Sequence, residues 1–350
     1  MTGPAKAGRR GEEKLMTTHK QVLALGLAAA LSAGGVAFAQ TGNPGGTIND
    51  NLGAMDYGVC RGLDVKCFHN WPRAKTSEYR ILLYTRTAGP RHANLGPALP
   101  PGMDPPLADA NAVHKGMLRL AEQNGWKLDY TEDLAQMTRL DGYNAVVFFS
   151  TSRDTLDDDA KTALRQYMRA GGGFVAIHNA FGTMYNWPYY EGLLGGANYY
   201  DHGPHRTGDV VVVDRKDAST KALPARFGFK DEWYNLVPFP TRVRFLATVD
   251  EKSWTEVVPA GSGAYPGGAM PRRPPGQRLP SVVGKHPGHG DFHPVAWCQY
   301  YDGGKAWVTT LGHDAAVFDA DNAAFPGALE FQKLITGGIK SVMGAEPFCR

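Results

Sequence analysis

Three short runs in this chain are apolar at every position rather than at every second one: Ile81-Leu82-Leu83-Tyr84, Ala145-Val146-Val147-Phe148-Phe149 and Phe174-Val175-Ala176-Ile177. A strand with one wet face would alternate, so these runs predict strands covered on both faces, the condition of a parallel sheet between helical layers. The intervening segments fit. Ala108 to Asn124 carries Val113, Met117, Leu120 and Ala121 at three- and four-residue steps, and Trp126 to Tyr130 reads as a further strand. Thr155 reads as the cap of a second helix, with Asp157, Asp158 and Asp159 at the positive end of its dipole. Leu156, Ala160, Leu164, Tyr167 and Met168 supply its buried face, and Gly171-Gly172-Gly173 ends it. Strands alternating with helices in this order predict an α/β, doubly wound, mostly parallel sheet flanked by helices in a single domain.

The second half is less regular. Val210–Val213 and Val243–Thr248 read as strands, and Val295–Tyr300 and Ala306–Leu311 flank the hairpin signal Asp302-Gly303-Gly304. A last helix is expected over Ala328–Met343. Residues 255–292 form a Gly/Pro-rich insert, 40–78 an irregular arm, and the domain itself runs over 79–344.

From Met16, a short basic start precedes an apolar run from Val22 to Leu31, and Ala37-Phe38-Ala39 offers small residues to a signal peptidase. This predicts export to the periplasm or beyond, with cleavage near Ala39-Gln40 and no membrane attachment afterwards, since the apolar run falls short of a span. Residues 1–39 hold Lys6, Arg9, Arg10, Lys14 and Lys20 against Glu12 and Glu13, which accounts for the whole formal charge of +3. The remainder is formally neutral and gives no electrostatic reason to expect nucleic acid. In an oxidising compartment Cys60 with Cys67, and Cys298 with Cys349, are the expected disulfides.

Ligands of open parallel sheets bind at the carboxyl ends of the strands. Arg91 and His92 follow the first strand, and His178 and Asn179 follow Ile177 directly. His202 and His205 lie in one loop, Asp231, Glu232 and Tyr234 in another, and His313 and Asp314 follow the last apolar strand. Five polar strand ends on one edge point to a shared site. His286, His289 and His293 sit in the insert and read as solvated, and His69 and His114 as structural. Imidazole and carboxylate together suit a divalent metal such as zinc, with His178, His202, His313 and Asp314 or Glu232 as ligands. They equally suit acid–base work without metal, with His178, Asp231, Glu232 and His313 as the catalytic groups and Arg91, His92, Asn179 and Tyr234 on the substrate.

These elements, in order, resemble the ThuA-like (trehalose utilisation) family. Arg91-His92 is similar to its Phe-Arg-His element, Gly172-Gly173-Phe174-Val175-Ala176-Ile177-His178 to its Gly-Gly-Phe-x-x-x-His strand, and Gly195-Gly196 through His202 to its Gly-Gly…His loop. Asp231-Glu232-Trp233-Tyr234, His293-Pro294-Val295-Ala296-Trp297 and Leu311-Gly312-His313 complete the set. The chain departs from the pattern at Pro90, at Lys305 and in the long insert. The resemblance implies a fold like the class I glutamine amidotransferases (flavodoxin-like), a small-molecule carbohydrate as ligand, and no nucleotide cofactor. It also places His178 where an amidotransferase has its cysteine, so glutamine hydrolysis is not expected. An enzyme acting on a sugar derivative and a non-catalytic carbohydrate- or partner-binding protein both fit this reading.

Overall fold

The all-apolar runs become the centre of one sheet. In the computed structural model, which describes residues 57–71, 78–254, 286, 288–322 and 324–350, the strands are β1 (Arg61–Gly62), β2 (Arg80–Tyr84), β3 (Lys127–Thr131), β4 (Ala145–Phe149), β5 (Gly173–Ile177) and β6 (Tyr199–His202). They continue with β7 (Arg206–Val212), β8 (Arg226–Asp231), β9 (Tyr234–Leu236), β10 (Arg244–Asp250), β11 (His293–Tyr301) and β12 (Gly304–Thr309). All the described residues lie in one compact unit, Asp56–Arg350. The main sheet runs β3-β2-β4-β5-β12-β11-β10-β7-β8, with β1 on β11, and β6 and β9 form a separate pair.

β12 is the seam. From β3 to β12 every neighbouring pair is parallel, and from β12 to β8 every pair is antiparallel. The parallel half is the α/β core expected from the apolar runs, and Ile81, Val147, Phe148, Val175 and Ile177 are wholly buried in it. In the antiparallel half β11 and β12 are joined by the tight Asp302-Gly303 turn, a connection open only to an antiparallel pair. β6, β8 and β9 were not among the expected strands. In β8 the buried residues Phe227, Phe229 and Asp231 alternate with half-buried or exposed Arg226, Gly228 and Lys230, a period of two that is visible in the residues themselves.

The helices are α1 (Ala112–Gln123), α2 (Asp158–Arg169), α3 (Pro188–Leu193) and α4 (Ala328–Met343). The cap of α2 is Asp157 rather than Thr155: its carboxylate accepts the Ala160 N–H at 2.9 Å, while the Thr155 hydroxyl is buried above it. Asp serves as well as Thr at a cap and adds charge at the positive end of the helix. Both expected disulfides form, Cys60–Cys67 and Cys298–Cys349. The second ties the chain end to β11. The leader lies outside the described residues, as does most of the insert. No helix among the described residues is long and apolar enough to cross a membrane.

α4 packs on the sheet through glycine. A methyl group at Gly337 would stand 2.4 Å from the Ala218 carbonyl oxygen and from Ser219 Cα, and one at Gly338 would meet the Trp307 ring at the same distance. Backbone cannot yield as a side chain can, so Gly337→Ala should overpack the contact by roughly 1–3 kcal/mol. That exceeds the gain of about 1 kcal/mol in helix propensity. Urea denaturation is therefore expected to show a destabilised variant, and a stabilised one would mean that the helix stands farther from the Ala218–Ser219 segment.

Candidate metal centre at the strand ends

His178 leaves β5 with a positive φ of 55°, which turns the chain out of the strand and leaves the ring fully buried. Its Nδ1 lies 3.0 Å from the Thr310 carbonyl oxygen, just past β12. A carbonyl can only accept, so Nδ1 carries the proton and Nε2 keeps its lone pair. That Nε2 faces the Tyr234 hydroxyl at 3.0 Å, His313 Nδ1 at 3.3 Å and Glu232 Oε2 at 4.0 Å. His92 stands edge-on to both imidazoles, with ring centres 4.7 Å from His178 and 5.1 Å from His313.

His92, His178, Glu232 and His313 each offer one ligand atom, all within 4.8 Å of one another. Donors on a tetrahedral zinc with bonds of 2.0–2.1 Å sit about 3.4 Å apart, so small adjustments bring these four around one ion. Electrostatics agree with that use. Burial, then the neighbouring His313, pushes His92 down to about 4, and burial holds His178 well below the usual imidazole range. Burial raises Glu232, but the hydrogen bond with His313 and the surrounding imidazoles outweigh it and hold it down at about 2. Two neutral imidazoles beside an ionised carboxylate are the protonation states a divalent cation requires. The His178 Nδ1–H on Thr310 is also the outer hydrogen bond that orients a ligating histidine. His92 Nδ1 has no such partner among the described residues.

The other expected residues are placed differently. Asp231 is wholly buried, and its carboxylate accepts the Glu232 N–H at 2.8 Å and the Gly312 N–H at 2.7 Å. Burial pushes it up to about 7 against the Gly312 N–H, which lowers it. With both oxygens on backbone, it positions the two segments that carry Glu232 and His313. Arg91 is spent on its own loop, donating to the Gly96, Leu95 and Pro97 carbonyls and to Glu132. It thereby fixes the loop that holds His92. Asn179 donates to the Thr151 carbonyl at 3.1 Å. Asp314 stands outside the four-residue group and caps the short turn Ala315–Phe318 through the Ala316 N–H. His202 lies at the rim, its Nε2 3.7 Å from the second Glu232 oxygen, and His205 packs against His313 with ring centres 5.0 Å apart. The geometric ligand group thus keeps His178, His313 and, of the two carboxylates considered, Glu232, and has His92 where His202 was expected.

The insert histidines are not solvated. His293 opens β11 fully buried, with Nδ1 2.7 Å from Glu251 and Nε2–H on the Tyr234 carbonyl at 2.9 Å. His289 Nε2 accepts the Leu236 N–H at 3.0 Å. Both brace β9 from behind and so fix Tyr234 against His178.

The family model described as ThuA, trehalose utilisation, matches residues 80–340. Among solved structures, a ThuA-like protein from Bacteroides uniformis is 19% identical with a TM-score of 0.50, covering 77% of this chain and 96% of its own. Another from Parabacteroides merdae is 15% identical with a TM-score of 0.52, covering 77% of this chain and 91% of its own. A glutamine amidotransferase from Thermotoga maritima is 10% identical with a TM-score of 0.39, covering 77% and 99%. No curated protein sequence matches.

Glu232 and His313 form an ion pair at 3.1 Å. Burial opposes protonation of His313, yet the hydrogen bond and charge of Glu232 raise it above its ordinary 6.5. Glu232→Gln removes the largest support and leaves burial opposed only by the charges of Asp231 and Asp314, so the His313 titration should move to lower pH in NMR spectra recorded with chelator. The sign for stability follows by linkage: the Glu232 contribution is complete above its ordinary value of 4.5 and is lost as pH falls through about 2. An unmoved His313 titration would show that the pair does not form.

Proposed function

The chain belongs to the ThuA (trehalose utilisation) family, and from that premise we propose that it is an exported enzyme of carbohydrate utilisation whose His92, His178, Glu232 and His313 hold a divalent cation such as zinc. One observation carries this reading: donors from four distant stretches of chain converge within 4.8 Å of one another. The family supplies the sugar link, and the leader sequence supplies the periplasmic or secreted address.

A cation bound there supplies Lewis acidity toward an oxygen of the sugar derivative. The chain's own groups do the rest. Thr310 fixes the His178 tautomer, Asp231 holds the backbones of Glu232 and Gly312 in register, and Arg91 holds the His92 loop. Tyr234 brings a hydroxyl to the centre, where it can hydrogen-bond a substrate oxygen, and His202 stands over the outer Glu232 oxygen as a proton carrier. Hydrolysis, elimination and isomerisation of a sugar derivative all draw on this combination.

Elemental analysis of the purified mature protein is expected to find about one equivalent of cation. His178→Ala should lose that cation, and with it any turnover on a panel of disaccharides and oxidised sugars, while near-UV circular dichroism stays native. Stoichiometric cation and sugar affinity with no turnover would identify a binding protein instead. A wild-type protein that holds no cation would sink the metal assignment.

A further inference from the structure

We infer that the Tyr234 hydroxyl and the divalent cation compete for a single lone pair, so that Tyr234 caps the His178 ligand in the empty site and is released toward substrate when the cation binds. The inference rests on the metal reading above and adds a role for a residue outside the donor group. Because the Thr310 carbonyl takes the His178 Nδ1–H at 3.0 Å, the ring has one lone pair left, on Nε2. The Tyr234 oxygen lies 3.0 Å from that atom, and with no proton on Nε2 the phenol must be the donor. One lone pair cannot accept a hydrogen bond and form a coordinate bond together. Coordination through Nε2 therefore requires that the Tyr234 hydroxyl let go.

Tyr234 cannot swing away to do so. Its ring is 1% exposed, stacked on His178 with centres 4.8 Å apart, and flanked by Tyr199 at 4.6 Å. Its backbone is paired with His202 across β6 and β9, and its carbonyl accepts the His293 Nε2–H at 2.9 Å. What remains is rotation about the C–O bond together with a small shift of the oxygen off the lone-pair axis. A buried donor that loses its acceptor is costly, so the freed O–H needs a new one. Within this centre the acceptors are the Glu232 carboxylate and the oxygens of a polyhydroxylated ligand. A hydroxyl or carbonyl oxygen of the sugar would thus be bound more strongly by the loaded site than by the empty one.

The sign of this coupling is testable. Tyr234→Phe keeps the ring and removes the nearer competitor, His313 Nδ1 at 3.3 Å being itself a ligand, so chelator-stripped protein should bind zinc roughly tenfold more tightly by calorimetry, the worth of one hydrogen bond of this kind. Its Co2+ absorption bands should match those of wild type, because the tyrosine is not a ligand. Equal or weaker affinity in the folded variant, or altered Co2+ bands, overturns the competition while leaving the metal site standing. If neither protein binds zinc, the metal reading fails and the competition fails with it. Wild-type protein carrying 3-fluorotyrosine gives a second readout that needs no variant. One buried 19F resonance should move in proportion to added zinc, and a spectrum unmoved at full occupancy also overturns the proposal.

Discussion

The hydrogen bond from His178 Nδ1–H to the Thr310 carbonyl joins the ends of β5 and β12, and the chemistry of the centre is built outward from it. It exists because those two strands are parallel and in register, with Ile177 opposite Thr309, so that the next residue of each chain leaves the sheet at the same height. From there β5 turns through a left-handed conformation into a short helix, whereas β12 runs on through Leu311 and Gly312 to His313. The carbonyl decides the tautomer, the tautomer decides which nitrogen faces inward, and that nitrogen meets His313, Glu232 and Tyr234. A neutral imidazole buried without this partner would have no preferred face.

A second constraint brings in the carboxylate. β8 and β12 are separated by β7, β10 and β11, which in a flat sheet would hold them about 19 Å apart at the usual strand spacing. Yet Asp231, at the end of β8, accepts the Gly312 N–H at 2.7 Å. The antiparallel half must coil back over the strand ends to allow it, as strongly twisted sheets do. Asp231 is the clasp of that closure. It is wholly buried, and the two backbone N–H groups it satisfies belong to the residues that set Glu232 and His313 in place. Glu232 is thereby delivered from the far edge of the sheet to the seam.

This geometry also explains which parts of the protein were legible in its residues. The parallel half was, because strands covered on both faces have an unmistakable pattern and their carboxyl ends are where polar residues gather. His92 and His178 were found in that way and His313 after the last apolar strand, whereas Glu232 stood out only within the run Asp231 to Tyr234, its strand unread. What a linear reading lacked was the partner. Arg91 looks like a substrate clamp until Glu132 and three loop carbonyls occupy its guanidinium. Asp314 looks like a ligand until Ala316, two residues on, takes its carboxylate, a local pattern that was open to inspection. His293 was hidden by the Gly/Pro-rich residues before it, which mask the start of a buried strand. β6 and β9 are too short for their alternation to stand out, and they exist because each completes the other.

The position of His178 bears on what kind of chemistry the fold supports here. A side chain on a strand-to-helix turn with positive φ is held out of the strand, which is how α/β enzymes present a nucleophile. A cysteine thiolate in such a position needs a partly exposed, electropositive setting to attack. Here the same turn carries an imidazole that is fully buried, with one nitrogen committed to backbone and the other aimed at three further donors. Such a nitrogen offers its lone pair in the plane of a ring already locked in orientation. If the group holds a cation as proposed, the turn presents a ligand in place of a nucleophile, and a substrate would meet the cation on the side of His92, Glu232 and His313 rather than over His178 itself.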